Sequence, residues 1–590
     1  AIIDLNTGAQ PIYNEDKSIL IMYNGEVYNY KELKEELTEY KFETESDTEV
    51  VLHGYEKWGH DLPKKLRGMF AYAIYDKNKG EIFISRDQFG IKPLYYYHDG
   101  DTILFGSEIK SFLAYPKFKK VLNKELLGAY LTFSFTPTDE TFFKGVYRLP
   151  SGHSMTIDVK KRKIKIDRYF KVEFGNTDKS FDEVVEDIST AMKDSTEHHL
   201  ISDVEVGSFL SSGVDSSYLV SLAKPDKTYT IGFDLAKYSE IDYAKDLTDK
   251  LNIKNISEKI SKEEYMNALS EVYYHMDEPT ADGCAIAVYF LSRLASKDVK
   301  VVLSGEGADE FFGGYNSYDD NFYTKLPFFI RKSMASICKI LPKNKITRYI
   351  IRRGLPLEES YVSINRTYYD DELKDVLKID NYIKNKDIVK DVYDEYKDYN
   401  KLDKMLAVDI RYWLSNNILT IVDKMTMAHS IESRVPFTDM KVFDVARMLP
   451  KNYKVSDGTT KVALRNAARK VIPNDAWKKK KLGFPVPIRE WIREEDFYKE
   501  LKKILEKMDV KEEDRKLYED VYAEVENKSL LPIQRSKDNG SVPKQIHEAE
   551  LRKILDCASA YLPFLTSKDE SGLTTAEKIV SIFNFRIPYY

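Results

Sequence analysis

Short apolar runs, broken by glycine and small polar residues, set the pattern of this chain. Residues 204–210, 228–233, 254–260 and 299–303 read as strands. Amphipathic stretches separate them. A helix after Ser217 stops near Pro225, residues 240–251 form another, and two more end near Met276 and run from about Ala285 to Ala295. Strand–helix alternation predicts a doubly wound parallel sheet, with ligands at the carboxyl ends of its strands. The first 175 residues read differently. Runs at 19–23, 27–30, 68–76, 82–87 and 90–97 are short strands with turn signals, more β than α. Asn24-Gly25, between two such runs, reads as a hairpin turn. Ser46-Asp47-Thr48 reads as the N-cap of a helix over 49–58. From about residue 320 the pattern turns helical. Residues 421–437 read as a helix with Met and Ile on its core side, ending before Pro436, and Lys461 opens another after an Asp457-Gly458 turn.

Length and composition narrow the class. A chain of 590 residues fits roughly two to four domains. The net charge of −6 arises from many charges of both signs and demands neither a nucleic-acid nor a membrane partner. Cys284, Cys338 and Cys557 are scattered, which argues for a reducing compartment and against a disulfide framework or a zinc site. No apolar run is long enough to span a membrane, since residues 326–341 are interrupted by Arg331, Lys332 and Lys339. A cytoplasmic protein is expected. The chain starts at Ala1 within a strand-like stretch and stops at Tyr590, and both ends look cut.

Two loops carry the candidate chemistry. Ser211-Ser212-Gly213-Val214-Asp215-Ser216-Ser217 joins a strand to a helix N-terminus, where free N–H groups and the helix dipole favour phosphate. The spacing is not that of a Walker loop. Ser304-Gly305-Glu306-Gly307-Ala308-Asp309-Glu310 and the residues to Tyr315 place three carboxylates in a glycine-broken turn after the 299–303 strand. Both loops sit at strand carboxyl ends, so they should converge. The Lys478–Lys481 run reads as a solvated face.

The order NGEVYNY, SDTEV, LRGMFAYAIYD, SRDQFGIKPLYYY, FGSEIKS resembles the glutaminase domain of class II amidotransferases, in its asparagine synthetase form. That resemblance implies a four-layer α-β-β-α sandwich with an N-terminal nucleophile. It places glutamine on Ile3, Asn24, Gly25, Glu26 and Asp47. Asn24 and Gly25 would form the oxyanion hole, which a side-chain amide and a backbone N–H can both serve. Glu26 and Asp47 would hold the α-amino group. The family's nucleophilic cysteine and the arginine that grips the glutamine carboxylate lie upstream of the strand at which this chain starts. The sandwich is therefore expected to be incomplete and the chain, as given, unable to hydrolyse glutamine.

LSSGVDSS, SGEGADEFFGGY, SIESRVPF and KLGFPVP match the synthetase domain of the glutamine-hydrolysing asparagine synthetase family. The loop at Ser211 resembles the pyrophosphate loop of ATP pyrophosphatases, with Ser212 where a glycine is usual. The family implies ATP with adenine near Leu210 and Ile231. Its phosphates would lie on Ser211, Gly213, Asp215, Ser216, Ser304 and Gly305, with Mg²⁺ on Asp215 and Asp309. Aspartate would be activated as β-aspartyl-AMP and captured by ammonia. Glu306 would assist as a base toward the incoming amine, and Lys461, with Lys480, would stabilise charge on the departing phosphates. Asp277 resembles a family position near the aspartate pocket. The implied partners are aspartate, ATP and glutamine or ammonia, in a family whose members often form homodimers. Relatives that adenylate other carboxylates, the β-lactam synthetases and peptide cyclases, share the fold; retention of NGE and SDTE favours the amidotransferase.

Residues 1–175 are thus expected to be the glutaminase domain and 180–497 the ATP-pyrophosphatase domain with its helical part. The last ninety or so residues, about 500–590, resemble the helical recognition lobe of the type II CRISPR RNA-guided endonuclease, through LLPIQRSKDNG, PKQIHEAELR and FRIPYY. They carry no nuclease carboxylates. A chimeric join is the expectation there, with RNA binding through Lys and Arg weak and nucleic acid not the chain's business; a non-catalytic fragment with an RNA-binding tail is the remaining alternative.

Overall fold

The computed structural model describes residues 2–4, 7–100, 102–235, 238–319, 323–342, 344–377, 381–473, 475–479, 486–491 and 494. Lys480, the Gly483-Phe484-Pro485 turn and the tail from about residue 500 lie outside the described residues.

Among the described residues the first half contains nine strands. They are β1 (Ile12–Tyr13), β2 (Ile19–Val27), β3 (Gly68–Asp76), β4 (Glu81–Arg86), β5 (Tyr95–His98), β6 (Ile103–Gly106), β7 (Val146–Arg148), β8 (His153–Asp158) and β9 (Lys163–Arg168). Helices α1 (Tyr30–Glu36), α2 (Asp47–Trp58) and α3 (Leu127–Phe133) accompany them. A six-stranded antiparallel sheet runs β1-β2-β3-β4-β8-β9, and a three-stranded one β6-β5-β7. Strand alternation gives the larger sheet two apolar faces. Ile21, Val27, Phe70 and Tyr72 pack on Leu33 and Val51 of the helices. Ala71, Ala73, Ile84 and Met155 face the smaller sheet at Tyr96 and Phe105. A helical turn at Ile109–Ala114 covers the far side through Ile109 and Phe112 against Tyr95. The half is a layered α/β sandwich.

Asn24-Gly25 is not a turn. β2 runs straight through it and pairs with β3 over its whole length, Asn24 opposite Ala71 and Gly25 opposite Phe70. The two strands approach too closely there for a side chain. A Cβ on Gly25 would lie 2.1 Å from the Met69 carbonyl oxygen, and one on Gly68 2.1 Å from that of Glu26. The glycine serves close approach, not reversal.

In the second half α4 (Phe181–His199), capped by Ser180 and Glu183 in a capping box, leads into the predicted alternation. β10 (Val206–Phe209), α5 (Val214–Ala223), β11 (Lys227–Phe233), α6 (Ile241–Leu251), β12 (Lys254–Ile260), α7 (Lys262–Met276), α8 (Cys284–Ala295), β13 (Val301–Leu303) and α9 (Ala308–Phe312) follow. The sheet order is β12-β11-β10-β13 with one further strand, every neighbour parallel. Leu219, Val220, Ala244 and Leu247 of α5 and α6 cover one face. Leu269, Val272, Ile286 and Phe290 of α7 and α8 cover the other.

The fifth strand, β14 (Glu432–Arg434), corrects the reading of residues 421–437 as one helix. The helix Leu419–Met427 stops early, and Ser430 takes a left-handed φ of 56°. The chain then pairs with β13, Val301 opposite Glu432 and Leu303 opposite Arg434. From about residue 320 the described residues are mainly helical, as expected, apart from β14 and a two-stranded ladder of Val455–Ser456 with Thr459–Thr460. This part begins with a hairpin of α10 (Phe328–Cys338) and α11 (Lys345–Arg353), and includes a ten-residue π-helical stretch, Asp409–Ile418.

Candidate active site

The Ser211 loop is shaped by its own hydroxyls. Ser211 N–H donates to Ser216 Oγ at 3.1 Å, the two hydroxyls lie 2.8 Å apart, and Gly213 N–H donates to Ser211 Oγ at 3.2 Å. Ser212 has its own reason to be serine: both its N–H (3.1 Å) and its hydroxyl (2.6 Å) donate to Glu240 Oε1. Asp215 falls in the first turn of α5, where the helix dipole favours a carboxylate.

The Ser304 loop meets it. A Cβ on Gly305 would lie 3.1 Å from Ser216 N and 3.4 Å from the Asp215 carbonyl carbon, so glycine lets the two backbones touch. Ser304 N–H donates to the Arg434 carbonyl at 2.9 Å, tying the loop to β14. Glu306 stands half-buried in the turn before α9. Asp309 opens that helix, and Gly314 has no room for a Cβ, which would fall 1.7 Å from Asp309 Oδ1. Tyr315 OH donates to Glu310 Oε1 and accepts from Trp413 Nε1 at 2.9 Å, anchoring the loop on the π-helical stretch.

Lys461 joins the loops. Its ammonium lies 2.6 Å from Asp215 Oδ2 and 2.7 Å from Asp309 Oδ1, and its side chain is buried. Lys461 holds a left-handed φ of 54° just before the helix Val462–Arg469, an uncommon conformation for a side-chain-bearing residue. Two carboxylates thus aim at one point occupied by a cation. Hard oxygen donors so placed also fit Mg²⁺, which takes few protein carboxylates. Among the described residues no group of three or more His, Cys, Asp or Glu is arranged to hold a metal.

Leu210 and Ile231, expected near adenine, are both buried in the sheet. The Leu210 backbone is already engaged, its N–H donating to Tyr229 O (2.9 Å) and its carbonyl accepting from Thr230 Oγ1 (2.9 Å).

The other candidate centre lies in the first half. Glu26 and Asp47 are both buried. Asp47 Oδ2 accepts from Tyr23 OH at 2.8 Å and from Val27 N–H at 2.9 Å, and burial pushes its carboxyl up to about 6. Burial and the neighbouring Asp47 push Glu26 well above the ordinary carboxylate range. Its Oε2 accepts from Arg434 at 3.1 Å, while its Oε1 is buried without a hydrogen-bond partner among the described residues. Asn24 Nδ2 donates to Ser107 Oγ at 3.3 Å. Ile3 is buried in the core under the larger sheet.

Asp277 joins neither centre. It is a buried latch between the halves: Lys424 lies 2.6 Å away and Lys110 3.0 Å, and its carboxylate accepts from the Ile109 (2.8 Å) and Lys110 (3.3 Å) N–H groups. Against its burial, the two ammoniums hold its carboxyl below the usual range. Lys92–Asp423 at 2.9 Å and Arg148–Glu278 are further buried pairs across the same interface. Sequence reasoning missed Arg434, whose guanidinium is fully buried between Glu26 and Glu432. Its neighbours in sequence, Glu432, Ser433 and Val435, gave no signal of that burial.

Both halves of the chain match known proteins. Residues 187–543 match the asparagine synthase family, and residues 1–170 the glutamine amidotransferase domain. The chain is 42% identical over 507 residues to the glutamine-hydrolyzing asparagine synthetase 1 of Bacillus subtilis strain 168, covering 84% of this chain and 80% of that protein. It is 37% identical over 521 residues to the putative asparagine synthetase of Mycobacterium tuberculosis H37Rv, covering 84% and 79%. The putative asparagine synthetase 2 of Methanocaldococcus jannaschii is 34% identical over 459 residues, covering 72% and 88%. With this fold and these matches, the chain belongs to the asparagine synthetase family of carbon–nitrogen ligases, with a glutamine amidotransferase domain ahead of the synthetase domain.

Proposed function

We propose that this chain converts aspartate to asparagine with ATP, in a synthetase domain spanning about 180–497, and that a polypeptide of these 590 residues takes its nitrogen from ammonia. The aspartate β-carboxylate attacks the α-phosphorus of ATP, and pyrophosphate leaves. Ammonia then attacks the acyl carbon of β-aspartyl-AMP, and AMP leaves. The observation that carries the reading is Lys461 standing between Asp215 and Asp309 where the two loops meet. Ser211, Gly213, Ser216, Ser304 and Gly305 present hydroxyls and small backbones to phosphate. Lys461 stabilises negative charge gathering on the leaving pyrophosphate. Asp215 and Asp309 would hold Mg²⁺, which when bound neutralises phosphate charge. Glu306 takes the proton of the attacking amine.

The first 175 residues form the glutamine-side domain. There Asn24 and Gly25 serve an oxyanion and the buried pair Glu26 and Asp47 an ammonium group; the unpartnered Glu26 Oε1 supports that role. The only cysteines are Cys284, Cys338 and Cys557, all outside this domain, so ammonium is the expected nitrogen source.

The test is pyrophosphate release from ATP, Mg²⁺ and aspartate, with ammonium or with glutamine. Release with ammonium but not glutamine is expected. Glutamate formation from glutamine would overturn the ammonia-only part. Adenylation that needs another carboxylate and ignores ammonium would move the chain to the β-lactam synthetase or peptide cyclase type.

A further inference from the structure

The α10–α11 hairpin stands apart from everything above. None of its residues enters a core cluster among the described residues. It holds itself together. Asn344 caps α11 through the Ile346 and Thr347 N–H groups, and Tyr323 OH reaches the Arg331 and Ile350 carbonyls. Gly354 lets the helices close, since a Cβ there would lie 2.4 Å from that of Ala335.

What the hairpin turns outward is unusual for a surface. Phe329 and Ile346 are each 70% exposed, Ile337 62% and Ile340 87%. Phe329 and Ile337, spaced i and i+8 on α10, lie on one side of that helix, and Ile340 follows just past its end. Phe328, Leu341 and Tyr349 are exposed beside them. Lys332 and Lys339, one heptad apart, are exposed along their flank. Between Asp320 and Glu358 every charged side chain is a lysine or an arginine, in a chain whose net charge is −6.

We propose that this hairpin is a peripheral docking surface for an anionic lipid bilayer. The pattern of large apolar side chains rimmed by cations is that of a helix lying in the headgroup plane. Lysine stems can lie along these apolar side chains while their ammoniums reach lipid phosphates. The hairpin does not cross the bilayer, for no helix among the described residues is long and apolar enough. Charge decides among occupants. A second copy would set two cationic hairpins against each other. A nucleic acid would satisfy the lysines and leave the isoleucines and phenylalanines in water.

The experiment is flotation of the full chain with vesicles of phosphatidylcholine alone and of phosphatidylcholine mixed with phosphatidylglycerol. Binding to the mixed vesicles only, weakened by salt, is expected. Phe329→Ser with Ile340→Ser should lower it at least about tenfold, and Lys332→Glu with Lys339→Glu by a similar factor. Both variants alter exposed side chains and should keep the melting temperature and pyrophosphate release of the parent. Flotation with neither vesicle, equal flotation with both, or flotation unchanged in the variants overturns the proposal. So does capture by polyglutamate or RNA that survives Ile340→Ser, which would point to an acidic partner, or a dimer that Ile340→Ser dissolves.

Discussion

The two acid-rich centres hold their charge in opposite ways. At the meeting of the loops, Asp215 and Asp309 share one ammonium, that of Lys461, at 2.6 and 2.7 Å. In the first half, Glu26 and Asp47 are buried against each other with no cation of their own. Arg434 reaches Glu26 from the other half but is also paired with Glu432. The consequences differ. The first centre is balanced by the chain itself. The second is short of positive charge, its carboxyls pushed upward and one oxygen left unpartnered. A site that sheds an anionic product gains from a built-in cation. A site that receives an ammonium gains from buried acids waiting for one.

Removing the built-in cation should have the largest effect. Lys461→Met leaves the buried Asp309 facing the half-buried Asp215 with no cation between them, a change that costs about 3 kcal/mol, the lower end for buried pairs. Pyrophosphate release should fall below detection, and the urea midpoint should drop together with it. Lys461→Arg keeps the charge and should recover most of the midpoint but little of the turnover. A Lys461→Met protein as stable as its parent would mean the carboxylates are not charged against Lys461, and the contrast between the centres would collapse.

How much of this was legible beforehand depended on sequence distance. The Ser211 and Ser304 loops announce themselves locally, by small residues after an apolar run, and the parallel sheet follows from strand–helix alternation. Ser46 caps α2 as its position implied, accepting from Thr48 N–H at 3.3 Å. What failed was long-range. β14 is three residues, charged at both ends, so no periodicity marks it; Arg434 is tolerable there because Glu26, 408 residues earlier, and its neighbour Glu432 both meet it. Asn24-Gly25 looks like a hairpin until β3 is seen alongside, with Phe70 opposite Gly25 and no room there for a Cβ. Asp277 drew attention only by its resemblance to a family position near the aspartate pocket; its pairing with Lys110 and Lys424, far away in sequence, was not legible.

Lys454 offers a sharper form of the comparison. It too is a buried lysine, but its ammonium has no hydrogen-bond partner among the described residues. The nearest carboxylate oxygen, on Asp403, is 3.9 Å away, and the Phe174 ring lies 5.3 Å off. Burial lowers its pKa from the usual 10.5 to about 8. Its folded-state value therefore lies below its unfolded one. The folded protein bears the cost of the charge at and below pH 8, and the parent regains stability as pH rises from there toward 10.5. Lys454→Met should raise stability at pH 7 by up to about 3 kcal/mol, a gain that closes by about pH 10.5. A loss at pH 7 would show that Asp403 holds this lysine much as the two aspartates hold Lys461.

Asp47→Asn tests the cation-poor centre. The asparagine carbonyl can still accept from Tyr23 and Val27, so the local bonds survive. Only the buried charge goes. Asp47 has its folded pKa raised to about 6 from 3.8, so the folded state binds its proton more tightly than the unfolded. That contribution to stability is complete below pH 3.8 and is lost as pH rises through 6. The parent should therefore be less stable than Asp47→Asn at pH 8, by up to about 3 kcal/mol, with the gap narrowing as pH falls from 7 toward 4. Urea unfolding at pH 8 and pH 5 measures it. A parent that outperforms the variant at pH 8 would mean that Asp47 is ionised and compensated in the folded protein, and that Arg434 balances this centre as fully as Lys461 balances the other.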